Sequence, residues 1–112
     1  MSSKQKFIES EPESLAMYVS SVGRGVIAFD GRPGAGKSYL ASMTAKRLRC
    51  SFLDADDFLA SDTGMFIGAL RIDDLRRAIT SAPAQPVLLA TVCARQVVER
   101  IGLTPSSIIW VE

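Results

Sequence analysis

The stretch Gly31-Arg32-Pro33-Gly34-Ala35-Gly36-Lys37-Ser38 constrains this chain most, because it fits G-x-x-x-x-G-K-[ST] at every fixed position. Glycines at those places let the backbone adopt positive φ and wrap closely round a ligand. The N–H groups of such a loop converge on an anion, and the positive end of the following helix adds to the attraction. Lys37 supplies a mobile cation suited to β- and γ-phosphates, and Ser38 offers a hydroxyl to Mg²⁺. The pattern carries this meaning only between a strand and a helix, and both are legible independently. Val26-Ile27-Ala28-Phe29 is a short continuous apolar run, as in a strand buried on both faces. From Lys37 to about Arg49, Leu40, Ala41, Ala45 and Leu48 recur on one helical face. The candidate nucleotide-binding residues are therefore Gly31, Arg32, Pro33, Gly34, Ala35, Gly36, Lys37 and Ser38, with Tyr39 directly after them. Arg32 and Pro33 occupy free positions and read as loop filling.

The remaining chain supplies the rest of an α/β pattern. Met1 to Glu9 reads as a loose polar tail. Ser10, Glu11, Pro12 and Glu13 have the capping hydroxyl, first-turn proline and early acids of a helix start. That helix runs to about Val22, with Leu15, Tyr18, Val19 and Val22 as its stripe, and Gly23 and Gly25 end it. Cys50 to Leu53 is a second strand, closed by Asp54. Residues Asp56 to Leu70 carry no clear signal, and Gly64 and Gly68 weaken a helix there. A helix is expected over Arg71 to Ser81, with Ile72, Leu75 and Ile79 on one side. A third strand follows at Val87 to Val92, a short helix at Ala94 to Ile101 with Val97, Val98 and Ile101 inward, and a fourth strand at Ile108 to Val111. Strand and helix alternate, which predicts a three-layer α/β/α domain with a parallel sheet of about four strands and right-handed crossovers. The length of 112 residues suits one domain, and a hydrophobic fraction of 47% is enough for one sheet with its helices.

Composition removes several alternatives. A formal net charge of +1 leaves no basic field of the kind that grips nucleic acid. No apolar run reaches membrane-spanning length, and the polar N-terminus has no signal-peptide character, so a cytoplasmic protein is expected. Cys50 and Cys93 lie in apolar runs and read as buried free thiols rather than a disulfide. The chain has no histidine, so acid–base chemistry falls to Asp or Glu.

Acids are concentrated in one place. Phe52-Leu53-Asp54-Ala55-Asp56-Asp57-Phe58-Leu59 places three carboxylates just past the second strand. Ligands of open parallel sheets bind beyond the C-terminal strand ends, so these acids share an edge with the glycine-rich loop. A carboxylate there can hold Mg²⁺, a role assigned to Asp54 together with Ser38, or accept a proton from an attacking hydroxyl, a role assigned to Asp56. Asp57 reads as a solvated or helix-capping residue.

Val26-Ile27-Ala28-Phe29-Asp30-Gly31 with the loop, followed by Leu53-Asp54-Ala55-Asp56-Asp57-Phe58, resembles the uridine kinase-like branch of the P-loop kinases, which includes phosphoribulokinase and bacterial pantothenate kinase. The resemblance is good from Gly25 to Leu59 and only a strand–helix–strand pattern from Pro86 to Glu112. It implies ATP with Mg²⁺ as donor, and as acceptor a hydroxyl of a small metabolite, nucleoside- or pantothenate-like. It also implies that Asp56, two residues before Phe58, is the base, with Lys37 on the phosphates. Two departures stand out. The third strand, Leu88-Leu89-Ala90-Thr91-Val92-Cys93, lacks the acid that many relatives carry there, although Thr91 can support a water. Lid arginines are not assignable, and Arg95 and Arg100 read as solvated surface. A chain ending straight after an apolar strand is expected to leave a sheet edge or a helix-binding face exposed, with self-association or poor solubility as the result. The alternatives are an ATPase or nucleotide-dependent switch module, a P-loop kinase acting on a sugar nucleotide, and an incomplete kinase that binds nucleotide with little turnover. The segment Ala60 to Leu70 is the expected acceptor contact and has no recognisable signature.

Overall fold

A computed structural model describes residues 3–7, 12–32, 34–58 and 71–111. Among the described residues five strands run at β1 (Ser3–Phe7), β2 (Val26–Gly31), β3 (Ser51–Asp54), β4 (Val87–Ala90) and β5 (Ser107–Val111). Among the same residues four α-helices lie at α1 (Pro12–Val22), α2 (Lys37–Leu48), α3 (Ile72–Thr80) and α4 (Ala94–Arg100), and a 3-10 turn at Ala55–Phe58 follows β3. The sheet order is β1-β5-β2-β4-β3, and every neighbouring pair is parallel.

The continuous apolar runs explain this layering. A strand buried on both faces sends alternate side chains into two different cores. Ile27 and Phe29 of β2, with Leu88, Ala90, Ile109 and Val111, meet Leu15 and Val19 of α1 and Leu40, Ala41 and Ala45 of α2. Val26 and Ala28, with Val87, Leu89 and Ile108, meet Leu75 and Ile79 of α3 and Ala94, Val97 and Val98 of α4. Two helices therefore cover each face, which is the three-layer α/β arrangement of the P-loop NTPase type. The buried Ser107 is tied to α1 by a 2.6 Å hydrogen bond with the Tyr18 hydroxyl.

Four expectations change. The polar segment read as a loose tail contains β1, which pairs with β5 from Ser3↔Ser107 to Phe7↔Val111. The same strand covers the edge of β5, so the open-edge half of the argument for self-association falls away. The third strand of the sequence reading ends at Ala90 rather than Val92, because the ladder with β2 and β3 stops there and Cys93 turns into the left-handed region with φ 51°. That turn carries Cys93 to the surface, while Cys50 is half-buried; both are free thiols, and burial raises the Cys50 pKa above its ordinary value.

At the end of β2, Gly31 lies opposite Val111 of β5. A Cβ on Gly31 would stand 2.7 Å from the Val111 carbonyl oxygen, a backbone atom held by the sheet. Gly31→Ala is therefore expected to lower the melting temperature by roughly 5–15 °C, as overpacking against backbone does in a domain of this size. Thermal unfolding followed by circular dichroism checks this, and an unchanged midpoint would mean that β2 and β5 can separate at this point without loss.

Candidate functional site

The phosphate loop leaves β2 at the C-terminal edge of the sheet and runs into α2. Gly34 and Gly36 have φ of 84° and 87°, which side chains with a Cβ rarely adopt. These two glycines bend the chain back across the first turn of α2. Gly36 is the residue before that helix and has no side chain to cap it, so the N–H groups of the first turn stay directed outward. Inside the loop the Ala35 N–H donates to the Arg32 carbonyl at 3.1 Å, and Lys37 Nζ donates to the same oxygen at 3.3 Å. The lysine thus lies folded across the loop it belongs to. Pro33 lies outside the described residues.

Asp30 fastens the base of the loop. Its Oδ1 accepts from the Gly31 N–H at 2.8 Å, and its Oδ2 accepts from the Ala94 N–H at 3.2 Å. One carboxylate therefore joins the start of the loop to the start of α4. Sequence reasoning gave Asp30 no role; the available signal was an acid closing an otherwise apolar strand.

The acids after β3 arrive from the other side of β4. Ser38 Oγ donates to Asp54 Oδ2 at 2.6 Å, and Asp54 Oδ1 accepts from the Asp56 N–H at 2.9 Å. Asp54 thus links the first turn of α2 to the 3-10 turn and fixes where Asp56 stands. Asp56 is exposed and lines a cleft of 490 Å³ with Gly34, Gly36, Lys37, Ser38, Tyr39 and Val92. Val92 was not singled out from the sequence; it enters the cleft because β4 ends early and the chain bends there. Thr91, suggested as a support for water, is buried and donates its hydroxyl to the Val92 carbonyl at 2.9 Å. Asp57 is exposed, and Arg95 and Arg100 are exposed on α4.

A third missed residue is Arg71. Its guanidinium donates to the Asp57 carbonyl at 2.9 Å, pairs with Asp74 at 3.3 Å and stands 5.8 Å above the Phe58 ring. Its N–H donates to the Phe58 carbonyl at 2.7 Å. Arg71 therefore pins the start of α3 to the turn that carries Asp56 and Asp57. The segment Ala60 to Leu70, expected to contact an acceptor, lies outside the described residues.

A helix N-terminus with two positive-φ glycines, a lysine and a serine–carboxylate pair is chemistry for a polyphosphate and a hard divalent cation. Among the described residues no cluster of three or more His, Cys, Asp or Glu side chains forms a preformed metal site. The Ser38 hydroxyl and Asp54 carboxylate are both oxygen donors of the kind Mg²⁺ takes when it keeps waters and phosphate oxygens as its other ligands, so the residues present fit a cation that arrives with a nucleotide.

Comparison with known proteins points the same way. Residues 33–71 match the shikimate kinase family. A 33-residue stretch is 61% identical to a gluconokinase of Arabidopsis thaliana, covering 30% of this chain and 18% of that protein. No solved structure matches significantly. The fold, the loop and both similarities agree on a likeness to small-molecule P-loop kinases; the uridine kinase-like branch is a finer distinction that neither similarity reaches. Among the described residues no helix is long and apolar enough to cross a membrane.

Proposed function

We propose that this chain is the nucleotide-binding part of an ATP-dependent kinase that transfers the γ-phosphoryl group to a hydroxyl of a small metabolite. The observation that carries the reading is the Ser38–Asp54 hydrogen bond of 2.6 Å, with Asp56 suspended from the same carboxylate at the mouth of the phosphate cleft. In this reading the loop N–H groups and Lys37 hold the β- and γ-phosphates, while Ser38 and Asp54 would hold Mg²⁺ and its waters, which when bound would supply positive charge beside the phosphate oxygens. Asp56 accepts the proton of the acceptor hydroxyl as its oxygen bonds to the γ-phosphorus, and the bond from that phosphorus to the bridging oxygen breaks to release ADP. Transfer of this type is mostly positioning and charge stabilisation, which a rigid loop on a packed sheet supplies.

The names of the similar proteins support one acceptor class. Gluconate and shikimate are both hydroxyl-rich carboxylic acids, and an acceptor of that kind is favoured here over the nucleoside- or pantothenate-like one implied by the uridine kinase resemblance. A coupled assay of ADP release across gluconate, shikimate, nucleosides and pantothenate tests both points. Release that depends on one of the hydroxy acids is expected. Release that never depends on an acceptor would replace the kinase reading with an ATPase or switch module.

A further inference from the structure

Strand β2 is held differently on its two sides at the point where the phosphate loop begins. Towards β5 the ladder runs to the end, with Asp30 paired to Trp110 and Gly31 to Val111. Towards β4 it stops at Phe29↔Ala90, followed by one further bond from the Thr91 N–H to the Phe29 carbonyl at 3.0 Å. Beyond that bond the Asp30 side chain takes over the connection. Its Oδ2 accepts from the Ala94 N–H at 3.2 Å, while its Oδ1 accepts from the Gly31 N–H at 2.8 Å. Val92, which lines the phosphate cleft, lies between these two ties, at Thr91 and Ala94. Cys93, the residue before α4, gives that helix no side-chain hydrogen bond, so Asp30 meets a need that the local sequence leaves open.

We infer that Asp30 is a positioning residue for phosphoryl transfer, which sets the gap between the phosphate loop and the Val92 wall of the cleft. The inference rests on the kinase reading above and deepens it. Asp30 is not among the residues lining the cleft, so it acts through the two backbone segments that it holds. Gly31, on one carboxylate oxygen, opens the loop. The turn on the other oxygen carries Val92 into the cleft that Asp56 also lines. Donor and acceptor meet between those parts, and a misplacement of about 1 Å in such a site costs roughly 100-fold in rate. Charge runs the other way. A carboxylate one residue from an anion-binding loop repels phosphates, so its contribution is to place them and not to attract them. Asn is nearly the same size and keeps one acceptor oxygen, but its amide nitrogen is a donor and cannot take the second N–H.

The test compares the whole wild-type chain with Asp30→Asn. Mg·ATP affinity is measured by calorimetry, and turnover with whichever of gluconate, shikimate, nucleosides or pantothenate is phosphorylated. Phosphorylated acceptor and inorganic phosphate are measured separately, because a phosphoryl group that misses the acceptor goes to water. Asp30→Asn is expected to lower kcat for the acceptor by roughly 10- to 100-fold. Mg·ATP affinity is expected to stay the same or to tighten by up to about threefold, as a repelling charge is removed. The ratio of phosphorylated acceptor to inorganic phosphate is expected to fall about tenfold. A variant that is merely less folded loses both products in proportion and keeps that ratio. Asp30→Glu retains both acceptor oxygens at a longer reach, is expected to fall between wild type and Asp30→Asn, and keeps the test open if the latter does not fold. An unchanged ratio, or kcat and affinity falling together, overturns the assignment and spares the kinase reading. A wild-type chain that binds Mg·ATP and phosphorylates no acceptor overturns the kinase reading and this inference with it.

Discussion

Lys37→Ala is expected to weaken Mg·ATP binding by about a hundredfold or more, with the fold intact. The size follows from what the ammonium group meets. In the loop it faces a polyphosphate in a partly desolvated setting, where removing one member of a close charge pair costs several kcal/mol. The fold survives because Lys37 begins α2 and alanine is the best helix former. Among the described residues its side chain hydrogen-bonds the Arg32 carbonyl at 3.3 Å, and that oxygen still receives the Ala35 N–H. Calorimetric titration of wild type and variant, beside thermal melts of both, measures this. Equal affinities would mean that the loop does not hold the phosphates.

Asp56→Asn is expected to lower kcat by roughly 10²- to 10⁴-fold, the usual range for removing a general base, while ATP affinity stays nearly unchanged. Asp56 holds its place through its backbone N–H, which Asn retains, and its exposed side chain makes no packing contribution that the substitution would remove. Ser38 and Asp54 keep their own bond in the variant. The measurement is steady-state phosphorylation of whichever acceptor supports turnover, with ATP binding measured in parallel. A variant that turns over within a few-fold of wild type would remove Asp56 from the proton transfer and return it to the role of a solvated loop residue.

What could be read from the sequence was what depends on local spacing. Val26 to Phe29 and Val87 to Ala90 are apolar at every position, and only burial on both faces explains that. The glycines of the loop announced the turn they make. The acids after the second strand were expected at the same sheet edge as the loop, and Asp54 does reach it, where Ser38 donates to its carboxylate. What could not be read depends on long-range partners. Ser3-Lys4-Gln5-Lys6-Phe7 has a polar composition that edge strands tolerate and tails share, so nothing local separates the two states. The clamp made by Asp30 needs α4 to begin beside β2, sixty-four residues further along the chain. Cys93 sits in an apolar run, and only the left-handed backbone after β4 shows that the run has already turned outward.

The order of the sheet has a consequence for how the protein comes into being. Of the described strands β1 precedes the others in the chain, yet its neighbour is β5, which follows them. As the chain leaves the ribosome, β2, β3 and β4 can assemble with α2 while the opening strand waits without a partner. Closing so long a segment carries a large entropic cost that is recovered only at the final step, and pairings of this kind slow folding. The same late strand supplies Val111, the neighbour of Gly31, so the phosphate loop is braced on that side only once β5 has been made. A nascent chain therefore carries its glycine-rich loop through the synthesis of β3, β4 and the helices beside them before it has the strand that braces it.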